Sequence, residues 1–170
     1  TLSESMLPEE NFKFVNTYLS KMGPIVRENN GYIDKFIGDA IMALFEKSPD
    51  DAVRTSVKML DALREYNKVR IREGNDPIRI GIGVNTGMMM LGTLGESDRM
   101  EGSVISDAVN IAARLEGLTK LYKTPLLISG ETLLKIDDSI FDSLDLTGVS
   151  AICVPNLIGN LPNWKKIKEK

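Results

Sequence analysis

Gly31-Tyr-Ile-Asp-Lys-Phe-Ile-Gly-Asp-Ala-Ile-Met-Ala-Leu-Phe45 is the stretch that decides the fold. Apolar, aromatic and β-branched residues dominate both of its halves, which predicts two short β-strands, Tyr32 to Ile37 and Ala40 to Phe45. Gly38-Asp39 separates the halves, and a glycine-containing pair between two strands is typical of a tight turn. The stretch therefore predicts a β-hairpin with an aspartate at its tip.

Helices are predicted on both sides of this hairpin. Pro8-Glu9-Glu10 is typical of a helix start, with acidic residues in the first turn. We expect Gly23-Pro24 to kink or interrupt that helix, and Asn29-Asn30-Gly31 to end it. Ser48-Pro49-Asp50 is predicted to cap a second helix that runs to about Arg72.

The rest of the chain predicts a second strand-rich region and further helices. The alternation from Ile78 to Val84 predicts a strand whose glycines leave one face crowded by a neighbour. The later predicted elements are extended chain from Met88 to Leu94, a polar turn over 95–98, a strand from Glu101 to Ile105, a helix from Asp107 to Leu121, a strand from Pro125 to Ile128 and a short helix from Gly130 to Ile136. This order indicates an α+β fold, with helices on one side of a largely antiparallel sheet. The pattern weakens after Asp137, although Val149 to Val154 is a candidate strand. We interpret Met88-Met89-Met90 as strand and core packing rather than as an adaptable contact surface.

Composition indicates one soluble domain and excludes several classes of site. The chain has 170 residues, 42% of them hydrophobic, and a net charge of -3, so nothing indicates a nucleic acid or an anionic membrane as partner. Cys153 is the single cysteine, which excludes an internal disulfide and favours a reducing, cytoplasmic setting. There is no histidine, so histidine-dependent catalysis and histidine metal sites are excluded. No apolar run approaches the roughly 20 residues that span a bilayer. Because the sequence begins at Thr1, we expect a portion of a longer protein, with any sensor or membrane segment outside it.

A second stretch carries a family resemblance, Arg99-Met-Glu-Gly-Ser-Val-Ile-Ser-Asp-Ala-Val-Asn-Ile-Ala-Ala-Arg-Leu-Glu116. With Gly31 to Phe45 it resembles the signature segments of class III adenylate and guanylate cyclases. Gly81-Ile-Gly-Val-Asn-Thr-Gly87 resembles the strand that precedes that family's dimerisation arm. The resemblance covers Thr1 to Ile136 in register. It implies a ferredoxin-like α+β domain that works as a homodimer, with two sites at the subunit interface that cyclise ATP or GTP.

The resemblance also implies roles for five residues. Asp39 matches a metal-binding aspartate that holds Mg²⁺ or Mn²⁺ against the phosphates; a plain turn aspartate is the alternative. Lys35 matches the purine-selecting lysine, and Ser103 its partner position. A lysine ammonium can donate to adenine N1 and a hydroxyl can accept from the 6-amino group, so this pair indicates ATP. The alternatives are a solvated lysine and a surface hydroxyl.

Asn110 and Arg114 match the family's transition-state pair. They stand four residues apart on the predicted helix, so both side chains lie on one face. In the family the asparagine orients the ribose and the arginine contacts phosphate, where a guanidinium can meet the charge of the transition state. A solvated asparagine and a surface salt bridge, for example to Glu116, are the alternatives.

The sequence departs from the family pattern at both ends. Thr1 to Glu4 resembles the segment directly after the family's opening strand, so that strand is lacking, together with its metal aspartate and the triphosphate-binding loop. Only one ligand of the expected two-metal site is thus present. Residues 137–170 diverge, and Leu144 to Asn160 has no lysine where the family carries a triphosphate-contacting one.

Three functions arise as hypotheses. The first is an adenylate cyclase catalytic domain that makes cyclic AMP, beneath an upstream sensor or regulatory domain. The second is a catalytically incomplete homologue that dimerises or binds nucleotide without turnover. The third, a diguanylate-cyclase-like domain, ranks low because the Gly-Gly-acid-acid-Phe signature is lacking.

Overall fold

The structure is a computed structural model that describes residues 7–96, 99–137, 139–140, 151–154 and 165–166. Its elements in chain order are α1 (Pro8–Glu28), β1 (Gly31–Ile37), β2 (Ala40–Phe45), α2 (Pro49–Arg72), β3 (Ile82–Val84), β4 (Met90–Glu96), β5 (Arg99–Ile105), α3 (Asp107–Tyr122), β6 (Leu126–Ser129), α4 (Gly130–Leu133), β7 (Ala151–Val154) and β8 (Lys165–Lys166). The expectations for Thr1 to Glu4, for residues 97–98 and for most of the divergent segment lie outside the described residues. The polar turn expected over 95–98 was wrong at Gly95 and Glu96, which belong to β4.

The described strands form two hairpins and one four-stranded sheet. β1 pairs with β2, and β4 pairs with β5, both antiparallel. The larger sheet has the order β3-β6-β7-β8, in which β3 and β7 flank β6 in parallel and β8 returns antiparallel beside β7. Helices combined with three antiparallel and two parallel pairings among the described strands confirm the predicted α+β class. The four-stranded sheet itself is mainly parallel, in contrast to the largely antiparallel sheet expected.

Helix α1 is continuous through Pro24, so an interruption at Gly23-Pro24 was wrong, whereas a kink there stays a prediction. A proline inside a helix removes one backbone hydrogen bond. Met22, Gly23 and Val26 are buried around it, and we attribute the continuity to this packing, which favours the helix more than the lost bond disfavours it. The predicted end is confirmed, because Asn30 adopts a left-handed φ of 61° directly after the helix.

The strand predicted from Ile78 is shorter than expected and begins at Ile82. The side chain of Asn67 replaces a strand partner at Ile78. Its Oδ1 accepts from the Ile78 N–H at 2.7 Å, and its Nδ2 donates to the Ile78 carbonyl at 2.8 Å. Because both backbone groups are already satisfied by α2, this segment does not need a sheet ladder.

Helix α2 joins the two parts of the core. Ser48 caps it as predicted, with its hydroxyl accepting from the Asp50 N–H at 3.1 Å. One cluster packs α2 on the larger sheet and comprises Val53, Val57, Leu60, Val84, Leu126, Ile128, Ile136 and Ile140. A second cluster packs α2 on α1 through Tyr18, Met22 and Leu63. The larger sheet and α1 are therefore held by one helix, which also contacts β2 of the first hairpin.

Candidate functional site

The first hairpin carries Asp39 at its tip. Ile37 pairs with Ala40, so Gly38 and Asp39 alone make the connection. Gly38 has a φ of 62°, which glycine adopts without steric cost, and Asp39 has no positive φ. This combination is typical of a type II′ turn. Asp39 is exposed, so its carboxylate faces solvent, as a ligand for a hard cation must before binding.

Tyr18 on α1 is affected by the charge of Asp39. Burial raises the pKa of the Tyr18 phenol to about 12, and the Asp39 carboxylate contributes to this pKa shift in the same direction. Both effects disfavour the phenolate, because it is poorly solvated and faces a like charge. The phenol therefore stays protonated at neutral pH, beside the hairpin.

Asp39 offers one metal ligand rather than a complete centre. Mg²⁺ is often held by one or two carboxylates together with substrate phosphates and water. No group of three or more His, Cys, Asp or Glu that could hold a metal ion exists among the residues that the structure describes. An ion at Asp39 would thus need ligands from a nucleotide or from another part of the protein.

Lys35 lies in the middle of β1 and is paired with its own neighbour. Its Nζ lies 3.3 Å from Oδ2 of Asp34. The Lys35 side chain is 40% exposed, whereas that of Asp34 is 6% exposed. The Lys35 side chain is therefore partly accessible from solvent, whereas its counter-ion is buried.

Ser103 lies on β5, opposite Gly92 of β4. Strand β5 of this second hairpin contacts β1 of the first. The two positions proposed for base recognition, Lys35 and Ser103, therefore lie on neighbouring strands.

Helix α3 is fixed on the larger sheet by close backbone approach. A Cβ added at Gly81 would overlap the Thr119 hydroxyl, and one added at Gly83 would overlap the Ala112 carbonyl. These two glycines make the crowded face that the strand pattern predicts.

Ser106 fixes the beginning of the same helix. Its hydroxyl accepts from the Ala108 N–H at 2.9 Å and donates to the Met88 carbonyl at 2.6 Å. Asn85 adds a hydrogen bond from Nδ2 to the Ala108 carbonyl at 3.0 Å. The first turn of α3 is therefore held by the segment that leads into β4.

Asn110 and Arg114 lie on the outward face of this anchored helix. Both residues are exposed, and within residues 7–96 and 99–137 neither side chain takes part in a hydrogen bond or an ion pair. The salt bridge from Arg114 to Glu116 that the sequence left open is not formed. An amide and a guanidinium one turn apart, exposed on a rigid helix, can bind an anionic ligand together.

The five candidate residues divide into two groups within one chain. Lys35, Ser103 and Asp39 lie on the two hairpins, whereas Asn110 and Arg114 lie on α3. Helix α3 packs mainly on β3 and β6, and β1 packs mainly on β2, α1 and β5. Within one chain, the candidates on the hairpins and those on α3 therefore pack against different elements.

Large apolar side chains are exposed on the first hairpin and at the start of the second. Met88 and Met90 are 95% and 76% exposed, so the interpretation of the methionine run as core packing was wrong. On the first hairpin Tyr32, Phe36 and Ile37 are also exposed. Exposed apolar side chains of this size are typical of a protein–protein contact surface.

Two features were missed from the sequence. The burial of Asp34 depends on an irregularity in the β1–β2 register, which the local residue pattern does not indicate. The pairing of Lys165 and Lys166 with β7 was missed because two residues are too few to form a strand signal. The alternation of residue types along β1 does not indicate the register shift at Asp34.

Comparison with known proteins identifies the family. The sequence profile described as "Adenylate and Guanylate cyclase catalytic domain" matches residues 1–151. An adenylate cyclase of Anabaena cylindrica is 44% identical over 134 residues, which are 76% of this chain and 27% of that protein. The chain thus spans about a quarter of that relative's length.

Solved structures show the same fold. The structure of a bacterial light-regulated adenylyl cyclase matches with a TM-score of 0.71 and 32% identity, and the match covers 78% of this chain and 70% of the other. The guanylyl cyclase Cya2 matches with a TM-score of 0.61 and 38% identity over 68% and 62% of the two chains. No helix in the described part of the chain is long and apolar enough to cross a membrane. Profile, relatives and fold agree, and the chain belongs to the adenylate and guanylate cyclase catalytic domain family.

Proposed function

We propose that this chain is an adenylate cyclase catalytic domain, which converts ATP into 3′,5′-cyclic AMP and pyrophosphate. The ribose 3′ oxygen attacks the α-phosphorus, the 3′ hydroxyl loses its proton, and the bond from the α-phosphorus to pyrophosphate breaks. The observation that carries the proposal, together with the family, is the exposed pair Asn110 and Arg114 on an anchored helix. Rigidly held polar groups stabilise transition-state charge with little reorganisation.

Each candidate residue has one role in this reaction. Asn110 orients the ribose, and Arg114 meets the negative charge that builds on the phosphoryl oxygens. Lys35 donates to adenine N1, and the Ser103 hydroxyl accepts from the 6-amino group. Guanine carries a donor at N1, which leaves Lys35 unmatched, and a site built to hydrogen-bond one base discriminates against a base that cannot form that bond.

Base choice depends on these two positions because the solved relatives include both an adenylyl and a guanylyl cyclase. Support for adenine comes from the lysine at 35 and from the contact of its strand with the strand of Ser103. The relative from Anabaena cylindrica is also named an adenylate cyclase.

A divalent cation, Mg²⁺ or Mn²⁺, is the proposed cofactor. Asp39 would hold it, and the bound ion would offset the charge of the triphosphate. The site is proposed to form between two copies of the chain, with Asp39 from one protomer and Lys35, Ser103, Asn110 and Arg114 from its partner. The exposed apolar side chains of both hairpins support such a homodimer.

The setting of the domain is also a proposal. A cytoplasmic location is supported by the single cysteine, because reducing compartments disfavour disulfides. An upstream sensor or regulatory domain is supported by the small share of the curated relative that this chain matches.

Cyclic AMP production from ATP and Mn²⁺ tests the proposal. We expect Asp39→Ala to lower turnover by about 100-fold or more, since a metal ligand is lost. Asp76→Ala, at an exposed loop acid after α2, is the matched control and should leave turnover unchanged. Equal activity of the Asp39 variant and the control would refute the assignment.

A catalytically incomplete module is the second candidate. The observation that favours it is that Leu144 to Asn160 contains no lysine, where the family carries a triphosphate-contacting one. Such a module would bind ATP without forming cyclic AMP at any Mn²⁺ concentration, which the same assay distinguishes.

A further inference from the structure

Asp34 is a buried carboxylate that the fold alone does not explain. Its side chain is 6% exposed, and its Oδ2 is buried without a hydrogen-bond partner among the described residues. Burying a carboxylate is costly unless it is paired and hydrogen-bonded. An apolar residue of similar size would satisfy this position in β1 at less cost.

A β-bulge brings Asp34 against Lys35. Consecutive side chains of a regular strand point to opposite faces of a sheet. Ile33 pairs with Ala43 and Lys35 pairs with Met42, so Asp34 is the extra residue of a register shift. A bulge re-aims side chains, and here it allows Oδ2 of Asp34 to lie 3.3 Å from Nζ of Lys35.

Asp34 and Lys35 differ in burial, and this difference indicates which of them can contact a ligand. The Asp34 side chain is buried, whereas the Lys35 side chain is 40% exposed. A lysine has four rotatable bonds and loses considerable rotamer freedom when it must hold one position. A buried counter-ion beside it restricts that freedom before a ligand arrives.

We propose that Asp34 is a positioning residue that holds the Lys35 ammonium ready for the purine base of the nucleotide. This inference rests on the proposed function, in which Lys35 contacts adenine. Asp34 also offsets the charge of Lys35, so that the ammonium is less strongly drawn towards the triphosphate. Asp34 itself does not touch the substrate.

Equilibrium binding of 3′-deoxy-ATP and 3′-deoxy-GTP tests the inference without turnover, because neither analogue has the attacking hydroxyl. We expect Asp34→Asn to raise the Kd for 3′-deoxy-ATP by about five- to tenfold, since preorganisation is lost. The Kd for 3′-deoxy-GTP should change by less than about twofold. Glu65→Gln is the matched control, because Glu65 forms an exposed ion pair with Lys68 at 2.6 Å, and it should change neither constant.

A double-mutant cycle separates positioning from general destabilisation. If Asp34 acts through Lys35, adding Asp34→Asn to Lys35→Met should change the 3′-deoxy-ATP constant by less than about twofold. Asp34→Glu keeps the charge and should bind 3′-deoxy-ATP more tightly than Asp34→Asn does. Amine labelling gives a second readout, in which Lys35 should react faster in Asp34→Asn while Lys68 is unchanged.

The outcomes distinguish this inference from the proposed function. Equal weakening of both analogues by Asp34→Asn, with unchanged Lys35 labelling, would mean a structural role and would overturn the inference. If Lys35→Met shifts base preference but Asp34→Asn does not, only the positioning role fails. If Lys35→Met leaves base preference unchanged, the adenine contact itself is wrong and both proposals fall.

Discussion

At the residue scale, Asn110 and Arg114 are exposed on a helix that is anchored to the larger sheet. Their side chains can therefore be replaced without disturbing the core. We expect Arg114→Ala to lower kcat by about 100-fold or more, because transition-state charge loses its partner. The KM for ATP should change much less, since the contact is strongest in the transition state. Steady-state kinetics measure both constants.

Lys120→Ala is the matched control for this substitution, since it removes an exposed cation from the same helix. Its kinetics should equal those of the unmodified chain. A comparable fall in kcat for both variants would indicate a long-range charge effect instead of a role for Arg114.

At Gly83 the backbone of α3 lies so close to β3 that there is no room for a Cβ atom. A Cβ there would overlap the carbonyl oxygen of Ala112 and crowd the Glu116 N–H. Backbone atoms cannot rotate away, so we expect Gly83→Ala to lower the free energy of unfolding by about 2–3 kcal/mol. Denaturant unfolding measures this change.

Gly117→Ala provides the opposite expectation on α3. Nothing lies within 4 Å of a Cβ added at Gly117, and alanine favours a helix over glycine by about 1 kcal/mol. The free energy of unfolding should therefore rise. A fall of similar size in both variants would contradict the packing described for β3 and α3.

At the scale of elements, the burial of Tyr18 on α1, with a smaller effect from Asp39 of the first hairpin, predicts a dependence of stability on pH. The pKa of Tyr18 is about 12 in the folded chain, against about 10 in an unfolded one. The folded state therefore holds the phenol proton more tightly than the unfolded state does. The contribution of this proton to the free energy of unfolding is complete below pH 10. The contribution falls as pH rises from 10 to 12, by about 2–3 kcal/mol in total.

Tyr18→Phe removes this titration and keeps the ring. Unfolding experiments at pH 9 to 12 should show a smaller loss of stability in the variant than in the unmodified chain. Parallel curves for the two proteins would mean that the phenol titrates with an ordinary pKa when folded.

The elements also show why some of the fold could be predicted and some could not. The first hairpin, the cap at Ser48 and the end of α1 follow from strong local signals, namely alternation, a capping hydroxyl and consecutive asparagines. The prediction of a strand from Ile78 failed because the side chain of Asn67, eleven positions earlier, forms hydrogen bonds with the Ile78 N–H and carbonyl. The continuity of α1 through Pro24 depends on burial that the local sequence does not contain.

At the scale of the whole molecule, the candidate residues could be identified from motif order, but their distribution could not. The motifs indicate which side chains matter, and the fold determines that α3 and the first hairpin face different neighbours. The bulge at Asp34 is a register effect between two strands, so neither strand alone predicts it. The proposed site takes Asp39 from one protomer and Arg114 from its partner.

Mixing two inactive variants tests that arrangement. If Asp39 and Arg114 of one site come from different protomers, a dimer of Asp39→Asn with Arg114→Ala has one site with both lesions and one intact site. Random association makes half of the dimers mixed, so about a quarter of the original activity should return. Each variant alone should remain inactive at the same total concentration.

Recovery of no activity on mixing would contradict the shared site, provided that both variants dimerise. Sedimentation of each variant and of the mixture establishes that condition.

The hydroxyl of Ser106 has a mechanical consequence. Its O–H donates to the Met88 carbonyl, and the same oxygen accepts from the Ala108 N–H in the first turn of α3. One oxygen atom therefore links α3 to the chain that leads into β4. A displacement of the chain that leads into β4 should therefore also displace the start of the helix that carries Asn110 and Arg114. Fraying of that helix and release of the hairpin are then one event, and hydrogen exchange should register both at a common rate.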